Sequence, residues 1–170
     1  VIPTHAHLDH IGAIPYLGYR YNAPIISTPF TMEVIKTLYR DENIKPRNKL
    51  ISIKPNSTYY VKRKNKKYKV EFVHITHSTI QCSLVALHTD EGIVLYANDF
   101  KLDNSPTFEQ KPNYYKLKEL AKKGVKVLIV DCLYAGSDRK TASEKVAKTM
   151  LDEVLMNTNN SKNGLVVTTF

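Results

Sequence analysis

The chain has 170 residues, of which 42% are apolar and 24% charged. This composition is typical of a folded α/β protein and excludes an intrinsically disordered chain, while the length allows one domain with a core. No apolar run reaches the ~20 residues that a membrane-spanning helix needs, so we expect no membrane association. The 25 Lys and Arg against 16 Asp and Glu give a net charge of +9. Such a charge favours a polyanionic partner, although a basic surface without a specific partner would give the same value.

The first forty residues predict one strand end, one short strand and two helical stretches. Residues 1–3 are expected to end a strand and lead into a histidine-rich loop, and 23–28 predict a short buried strand. A short helical stretch should follow the loop. A longer helix is expected over 28–42, with Thr28 as N-cap and Pro29 in the first turn. The inward-facing apolar side chains of the two helical stretches should be Ile11, Ile14, Leu17, Phe30, Val34, Ile35 and Leu38.

The next segment is rich in short strand patterns. Residues 49–55 and 58–62 are expected to pair with each other about a turn at Asn56 and Ser57. A basic tip then leads into a strand over 68–76. The side chains of this tip are Lys62, Arg63, Lys64, Lys66 and Lys67.

Helices and strands alternate in the remainder of the chain. Residues 83–89 and 93–98 predict a hairpin with Gly92 in its turn, and 114–123 predict a helix that Gly124 ends. The apolar run 125–131 indicates a strand covered on both faces.

The C-terminal region predicts an amphipathic helix and a further strand. A capping box of Thr141 and Glu144 should open a helix over 142–157, and an apolar strand is expected over 164–170. The buried stripe of that helix should contain Val146, Met150, Leu151, Val154 and Leu155. Strands first, followed by alternating helices and strands, indicate an α/β sheet protein with helices packed on the sheet faces.

The stretch PTHAHLDHIGAIPYL, residues 3–17, places His5, His7, Asp9 and His10 within six positions. Imidazole and carboxylate groups are common ligands of Zn²⁺ and similar cations. Residues two apart in an extended segment project to the same side, so His5 and His7 can bind one ion together. Asp9 and His10 come at the turn into a helix and can face a second ion, at the ~3.5–4 Å spacing of two-metal sites. A polar loop with coincidental histidines is the alternative, and four ligand-type residues in the order HxHxDH disfavour it.

Further ligands should come from the ends of later strands. His77 and Asp99 each lie at the end of a predicted strand, and a carboxylate in the position of Asp99 can bridge two cations. His74 and His88 fall inside predicted strands and are better explained as packed or surface histidines.

The two cysteines indicate no disulfide framework. Cys82 and Cys132 lie far apart and form no CxxC pair, which favours a reducing compartment such as the cytoplasm. Both are expected to be buried packing residues rather than nucleophiles.

The order of these motifs resembles a known family. HxHxDH followed by a strand-end His and a strand-end Asp resembles the metallo-β-lactamase fold, a four-layer αββα sandwich with metals at the strand ends. YANDFKLDN (96–104) resembles the fourth motif of the β-CASP ribonucleases, with Asn98 where glycine is common. VLIVDCLYAG (127–136) is similar to the start of the inserted β-CASP domain, and THSTIQCSLVAL (76–87) to the third motif of the ribonuclease J group. The run 1–170 looks most like archaeal ribonuclease J.

This resemblance implies a domain division. We expect an incomplete αββα sandwich over 1–135, without its first strands, and the truncated start of a β-CASP domain over 136–170. The chain would then be a fragment of a longer protein, and inactive by itself.

The resemblance also implies roles for the candidate residues. One metal ion would be bound by His5, His7 and His77, and a second by Asp9 and His10, with Asp99 bridging the two. The candidate catalytic carboxylates are Asp9, which would orient or deprotonate the attacking water, and Asp131, which would hold a histidine beyond residue 170. The cofactors would be two divalent ions, zinc or alternatively manganese.

The implied activity is hydrolysis of single-stranded RNA in a cytoplasmic homo-oligomer, mainly as a 5′-to-3′ exoribonuclease, with endonuclease activity left open. A small-molecule hydrolase such as a thioesterase or lactonase is the alternative enzyme, and a non-catalytic scaffold is a third alternative. The basic tip could contact the RNA backbone, but a solvated hairpin tip has the same composition and is favoured. Tyr59, Tyr60 and Tyr68 beside it are expected to pack on the strands.

Overall fold

A computed structural model describes residues 1–157, so the strand expected over 164–170 lies outside the described residues. The helices are α1 (Leu8–Ile11), α2 (Ile14–Leu17), α3 (Pro29–Asp41), α4 (Tyr114–Lys123) and α5 (Glu144–Asn157), with a 3₁₀ turn at Gly18–Arg20. The strands are β1 (Ile25–Ser27), β2 (Leu50–Ser52), β3 (Thr58–Arg63), β4 (Lys66–His74), β5 (Ser83–Thr89), β6 (Gly92–Ala97) and β7 (Val125–Val130). None of these helices is both long and apolar enough to span a bilayer.

Two sheets form the centre of the fold. β1 and β2 pair in parallel, and the second sheet has the order β3-β4-β5-β6-β7, antiparallel except for the last pair. One apolar cluster joins them, because Ile26 of the small sheet packs with Val70, Phe72 and Val85 of the large one. The sheets therefore lie face to face, with a shared core between them.

One helix covers the outer face of each sheet. Met32 and Ile35 of α3 pack with Ile25 of β1, whereas Leu120 of α4 packs with Val73 and other side chains on the opposite face of the large sheet. Alternate side chains of β4 point to opposite faces, so this strand contributes to two separate cores. The order of layers is helix, sheet, sheet, helix, which confirms the predicted αββα sandwich.

Several local predictions are confirmed. α3 begins at Pro29, directly after Thr28, and α4 is followed by Gly124 with φ of 93°. β5 and β6 form the expected hairpin, with Gly92 at φ of 130°. A side chain at Gly92 would also collide with the side chain of Lys126.

The predicted pairing of 49–55 with 58–62 is wrong. β2 instead pairs with β1 in the small sheet, and β3 pairs with β4 about the basic tip. Sequence proximity favoured a local hairpin, but burying Ile51 and Ile53 against the shared core requires β2 to lie in the other sheet. The strand expected over 1–3 is also absent. Val1 accepts a hydrogen bond from Ile26 N and its terminal ammonium donates one to Pro24 O, but no strand forms there.

Other errors concern burial rather than secondary structure. Leu17 and Phe30 are exposed although an inward position was expected, and Tyr60 is exposed rather than packed. Cys132 is exposed, whereas Cys82 is buried as predicted and burial raises the pKa of its thiol to about 12. Leu17, Phe30 and Cys132 lie at or next to the ends of their elements, where periodicity does not determine the direction of a side chain. Tyr60 lies within β3 and alternates with the half-buried Tyr59 and Val61.

β7 and α5 are much more exposed than predicted. Four consecutive apolar residues of β7 are each more than two-fifths exposed, because β7 is the outer strand of the sheet in residues 1–157 and pairs with β6 alone. The expected stripe of α5 is likewise exposed in the described part of the chain, apart from the half-buried Leu155. The exposed apolar residues of these two elements are Val127, Leu128, Ile129, Val130, Val146, Met150, Leu151 and Val154.

The predicted capping box at the start of α5 is also wrong. The helix begins at Glu144 itself, and Ser143 Oγ accepts the N–H of Val146 at 3.4 Å. The carboxylate of Glu144 accepts the N–H and the hydroxyl of Thr107 instead of capping its own helix. A contact with a distant loop has therefore replaced the local one.

Candidate metal centre

The histidine loop lies between an extended segment and α1. Ser27 Oγ donates to Pro3 O at 2.8 Å and Ser83 N donates to Thr4 O at 3.1 Å, so both sheets hold the segment before His5. α1 then ends at Gly12, where an added Cβ would lie 2.6 Å from Leu8 O. A glycine is therefore required at this turn between α1 and α2.

Four predicted ligand residues converge at one end of the large sheet. The ligand atoms of His5, His7, His77 and Asp99 all lie within 4.8 Å of one another. His7 Nδ1 is 3.1 Å from His5 Nε2 and 3.2 Å from His77 Nε2. His77 comes three residues after the end of β4 and Asp99 two residues after β6. These two strands flank β5 and run in the same direction, so their ends bring both residues to the loop.

His10 and Asp9 form a second group beside the first. His10 Nε2 lies 3.3 Å from Asp9 Oδ2 and 3.3 Å from Asp99 Oδ2. The same oxygen of Asp99 is 3.8 Å from His5 Nε2 and 3.8 Å from His77 Nε2. Asp99 therefore lies between the two groups, as a bridging carboxylate would.

Three polar neighbours that the sequence interpretation did not assign hold the outward side of these imidazoles. Thr4 Oγ1 is 3.0 Å from His5 Nδ1, and Ser78 Oγ is 3.1 Å from His7 Nε2. The Asn98 amide is 2.8 Å from His10 Nδ1. Each of these residues lies next to a predicted ligand or one residue from a strand end, and that position was the only sequence signal for them.

Burial and repulsion from neighbouring imidazoles favour the neutral forms of His5 and His77. Desolvation, together with repulsion from His10, His77 and His7 and against an opposing effect of Asp9, lowers the pKa of His5 to about 3. Burial also lowers the pKa of His77, reinforced by His7 and opposed by Asp99. Neutral imidazoles offer lone pairs, which is the state that binds a metal ion.

The remaining candidates lie outside the cluster. Asp131 follows β7, is exposed, and its Oδ1 accepts the N–H of Leu133 at 3.1 Å. It is close enough to raise the pKa of His77 slightly against the dominant effect of burial. His74 Nε2 is 2.9 Å from Gln110 O and His88 Nε2 is 2.6 Å from Glu71 Oε1, so both are packed within the sheet region, as predicted.

The comparison with protein families agrees with this arrangement of fold and site. A family model described as the metallo-beta-lactamase superfamily matches residues 1–153. The chain belongs to the metallo-β-lactamase superfamily. A crystal structure of a protein of unknown function from Enterococcus faecalis covers 92% of the chain and 39% of its own chain, with a TM-score of 0.61 and 18% identity. That likeness supports the fold alone.

Two archaeal relatives are similar over almost the entire chain. Ribonuclease J of Methanocaldococcus jannaschii is 38% identical over 100% of this chain and 38% of its own length. Ribonuclease J of Pyrococcus abyssi is 40% identical over 98% of this chain and 37% of its own length. The chain thus spans less than two-fifths of the length of these relatives.

The donor set of this superfamily member fits a divalent cation. Thr4 and Ser78 can each accept an outward N–H, which leaves the inner nitrogens of His5 and His7 as lone pairs facing each other. Three imidazole nitrogens and one carboxylate oxygen at this spacing are a suitable ligand set for zinc. A cation between them would relieve the repulsion among the converging lone pairs.

Proposed function

We propose that this chain carries the two-metal centre of a ribonuclease. One ion would be bound by His5, His7 and His77 and the second by Asp9 and His10, with Asp99 shared between them. The observation that carries this proposal is the position of Asp99 Oδ2, within 3.8 Å of one histidine group and 3.3 Å of the other. Zinc suits the predominance of imidazole ligands, and manganese remains the alternative.

Divalent ions bound at such a centre acidify a water molecule and stabilise negative charge on phosphate oxygens. The exposure of the site residues indicates which side of the site a substrate can reach. His5 is fully buried and closes the inner side of the site, whereas the Asp9 side chain is 78% exposed. Asp9 is therefore on the side from which a substrate would approach, and its free carboxylate oxygen can accept the proton of the attacking water.

Asp131 has a supporting role in this proposal. Its side chain accepts a backbone N–H at the end of β7 and its charge reaches His77. A carboxylate there can orient a further histidine and raise the basicity of that ring. We propose that this histidine belongs to the part of the complete protein beyond residue 170, after a β-CASP domain that begins near residue 136.

RNA is the proposed substrate because both archaeal relatives are called ribonuclease J and the chain has a net charge of +9. A basic surface attracts a phosphodiester backbone in a salt-dependent manner. We further propose 5′-to-3′ exonuclease action on single strands, in a cytoplasmic homo-oligomer. The reducing cytoplasm suits the free thiols of Cys82 and Cys132.

The test uses the complete protein, loaded with Zn²⁺ or Mn²⁺, on single-stranded RNA labelled at its 5′ end. We expect labelled mononucleotide, abolished by Asp9→Ala and retained in Asp41→Ala, which changes an exposed acid at the end of α3. Discrete internal fragments without mononucleotide would indicate an endonuclease instead of an exonuclease. No RNA cleavage, with turnover of a thioester or lactone, would instead identify a small-molecule hydrolase.

A further inference from the structure

Asn98 lies between the end of β6 and Asp99, and its side chain turns toward α1 rather than into solvent. The amide nitrogen Nδ2 is 2.8 Å from Nδ1 of His10, and both residues are half-buried. The other ring nitrogen of His10 lies 3.3 Å from the carboxylates of Asp9 and Asp99. The ring of His10 is thus held between an amide on one side and two carboxylates on the other.

The tautomer of His10 depends on whether the amide donates a hydrogen bond to Nδ1 or accepts one from it. If the amide donates an N–H to Nδ1, the proton of the neutral ring resides on Nε2, and Nε2 cannot bind a metal ion. If the amide oxygen accepts Nδ1–H, the lone pair of Nε2 points at the carboxylates. The two ends of a carboxamide have the same shape, so a 180° rotation of the Asn98 amide brings its oxygen to Nδ1 in place of Nδ2 without disturbing the packing.

We propose that Asn98 is a positioning residue that accepts Nδ1–H of His10 and thereby holds Nε2 as a ligand for the second metal ion. This rests on the proposed metal assignment, which places Asp9 and His10 on that ion. The contact is made by the side chain of Asn98 and not by its backbone. A glycine could not make this contact, so here the second site would depend on a side chain.

The experiment measures Co²⁺ binding to the complete protein by its visible absorption and by competition with a chelator. We expect two binding events in the unaltered protein. Asn98→Ala should weaken one event by about 10- to 100-fold, as is usual for residues that orient a ligand, and leave the other unchanged. The unchanged event also shows that the variant folds. Asn104→Ala, an exposed asparagine in the following loop, is the matched control and should bind as the unaltered protein does.

A second variant tests the direction of the hydrogen bond. Asp in place of Asn98 accepts a hydrogen bond but cannot donate one at neutral pH, so Asn98→Asp should retain the affinity that Asn98→Ala loses. The proposal is overturned if Asn98→Ala binds both ions normally, if Asn98→Asp is as weak as Asn98→Ala, or if the unaltered protein binds only one ion. Failure to cleave RNA while two ions bind would overturn the proposed substrate and leave this role of Asn98 intact.

Discussion

The carboxylate of Asp103 accepts the N–H of Glu144 at 2.7 Å and so ties the first turn of α5 to the loop that follows Asp99. Asp103 is 3% exposed. Its Oδ1 accepts Ser105 N at 2.8 Å, whereas Lys101 Nζ lies 3.3 Å from Oδ2, the oxygen that accepts Glu144 N. Asp103 N in turn donates to Thr76 Oγ1 at 3.1 Å, directly before His77. Asp103 therefore connects α5, through its side chain, with the segment before His77, through its backbone N–H.

Replacing this carboxylate should loosen α5. Asp103→Asn removes the charge and one acceptor, which should lower the free energy of unfolding by about 1–3 kcal/mol. Hydrogen exchange of the α5 backbone should accelerate, as measured by mass spectrometry. Asp152→Asn, an exposed acid on the same helix, is the control and should leave exchange nearly unchanged. Equal acceleration in both variants would show that the contact of Asp103 does not hold the helix.

A buried ion cluster should make stability depend on acid pH. Glu71 is 2% exposed; burial raises the pKa of Glu71, but the ammonium groups of Lys116 and Lys69 outweigh this and lower it to about 2. The pKa is below its unfolded value, so the stabilisation is complete above about pH 4.5 and lost as pH falls toward 2. Glu71→Gln should cost about 1–3 kcal/mol at pH 7 by urea denaturation, and the difference should shrink across that window.

The control for this cluster is Glu33→Gln, which removes an exposed pair with Lys36. Exposed pairs contribute little, so this variant should unfold at nearly the same urea concentration as the unaltered protein. A Glu71→Gln difference that stayed constant from pH 7 to pH 2 would exclude the carboxylate charge as its source.

The packing of the two sheets against each other should depend on Phe72, which is 1% exposed in the shared core. Phe72→Ala should lower the free energy of unfolding by about 3–5 kcal/mol, because it removes buried apolar area and leaves a cavity. Phe108→Ala makes the same chemical change at a side chain that is 86% exposed. Denaturant midpoints should separate the two variants clearly, and a similar loss in both would argue against the shared core.

The basic tip is expected to contribute little to binding at the site. β4 runs nine residues from Lys66 to His74, about 30 Å at ~3.3 Å per residue, so the tip and the histidines lie at opposite ends of the strand. Replacing Lys62, Lys64 and Lys67 by Gln should change the Kd for a short single-stranded RNA less than threefold at fixed salt. A loss of more than tenfold would identify the tip as an RNA contact.

The sequence predicted the site best where residue types that bind metals lie at the ends of predicted strands. His5, His7 and Asp9 were recognisable because several ligand types crowd into six positions, and His77 and Asp99 because a polar residue follows an apolar strand. Periodicity similarly identified α3, α4 and the β5–β6 hairpin. These features depend on residue spacing over a few positions, which can be read from one sequence.

Tertiary contacts determined what the sequence did not predict. β2 joins β1 rather than β3 because its apolar residues fill the core between the sheets. Glu144 was assigned to a local cap, but its carboxylate accepts hydrogen bonds from Thr107, 37 residues away. The roles of Thr4 and Ser78 depend on the orientation of the imidazole rings, which residue spacing does not specify.

The central claim is that the His/Asp cluster binds metal ions, and bound zinc per chain tests it most directly. The chain would be purified without a polyhistidine tag and dialysed against Zn²⁺. Its bound zinc would then be measured by elemental mass spectrometry. We predict at least one tightly held zinc per chain, lost in His7→Ala and retained in His88→Ala, whose histidine pairs with Glu71 instead. A chain without zinc, or a His7→Ala variant that keeps it, would contradict the assignment of this cluster as a metal centre.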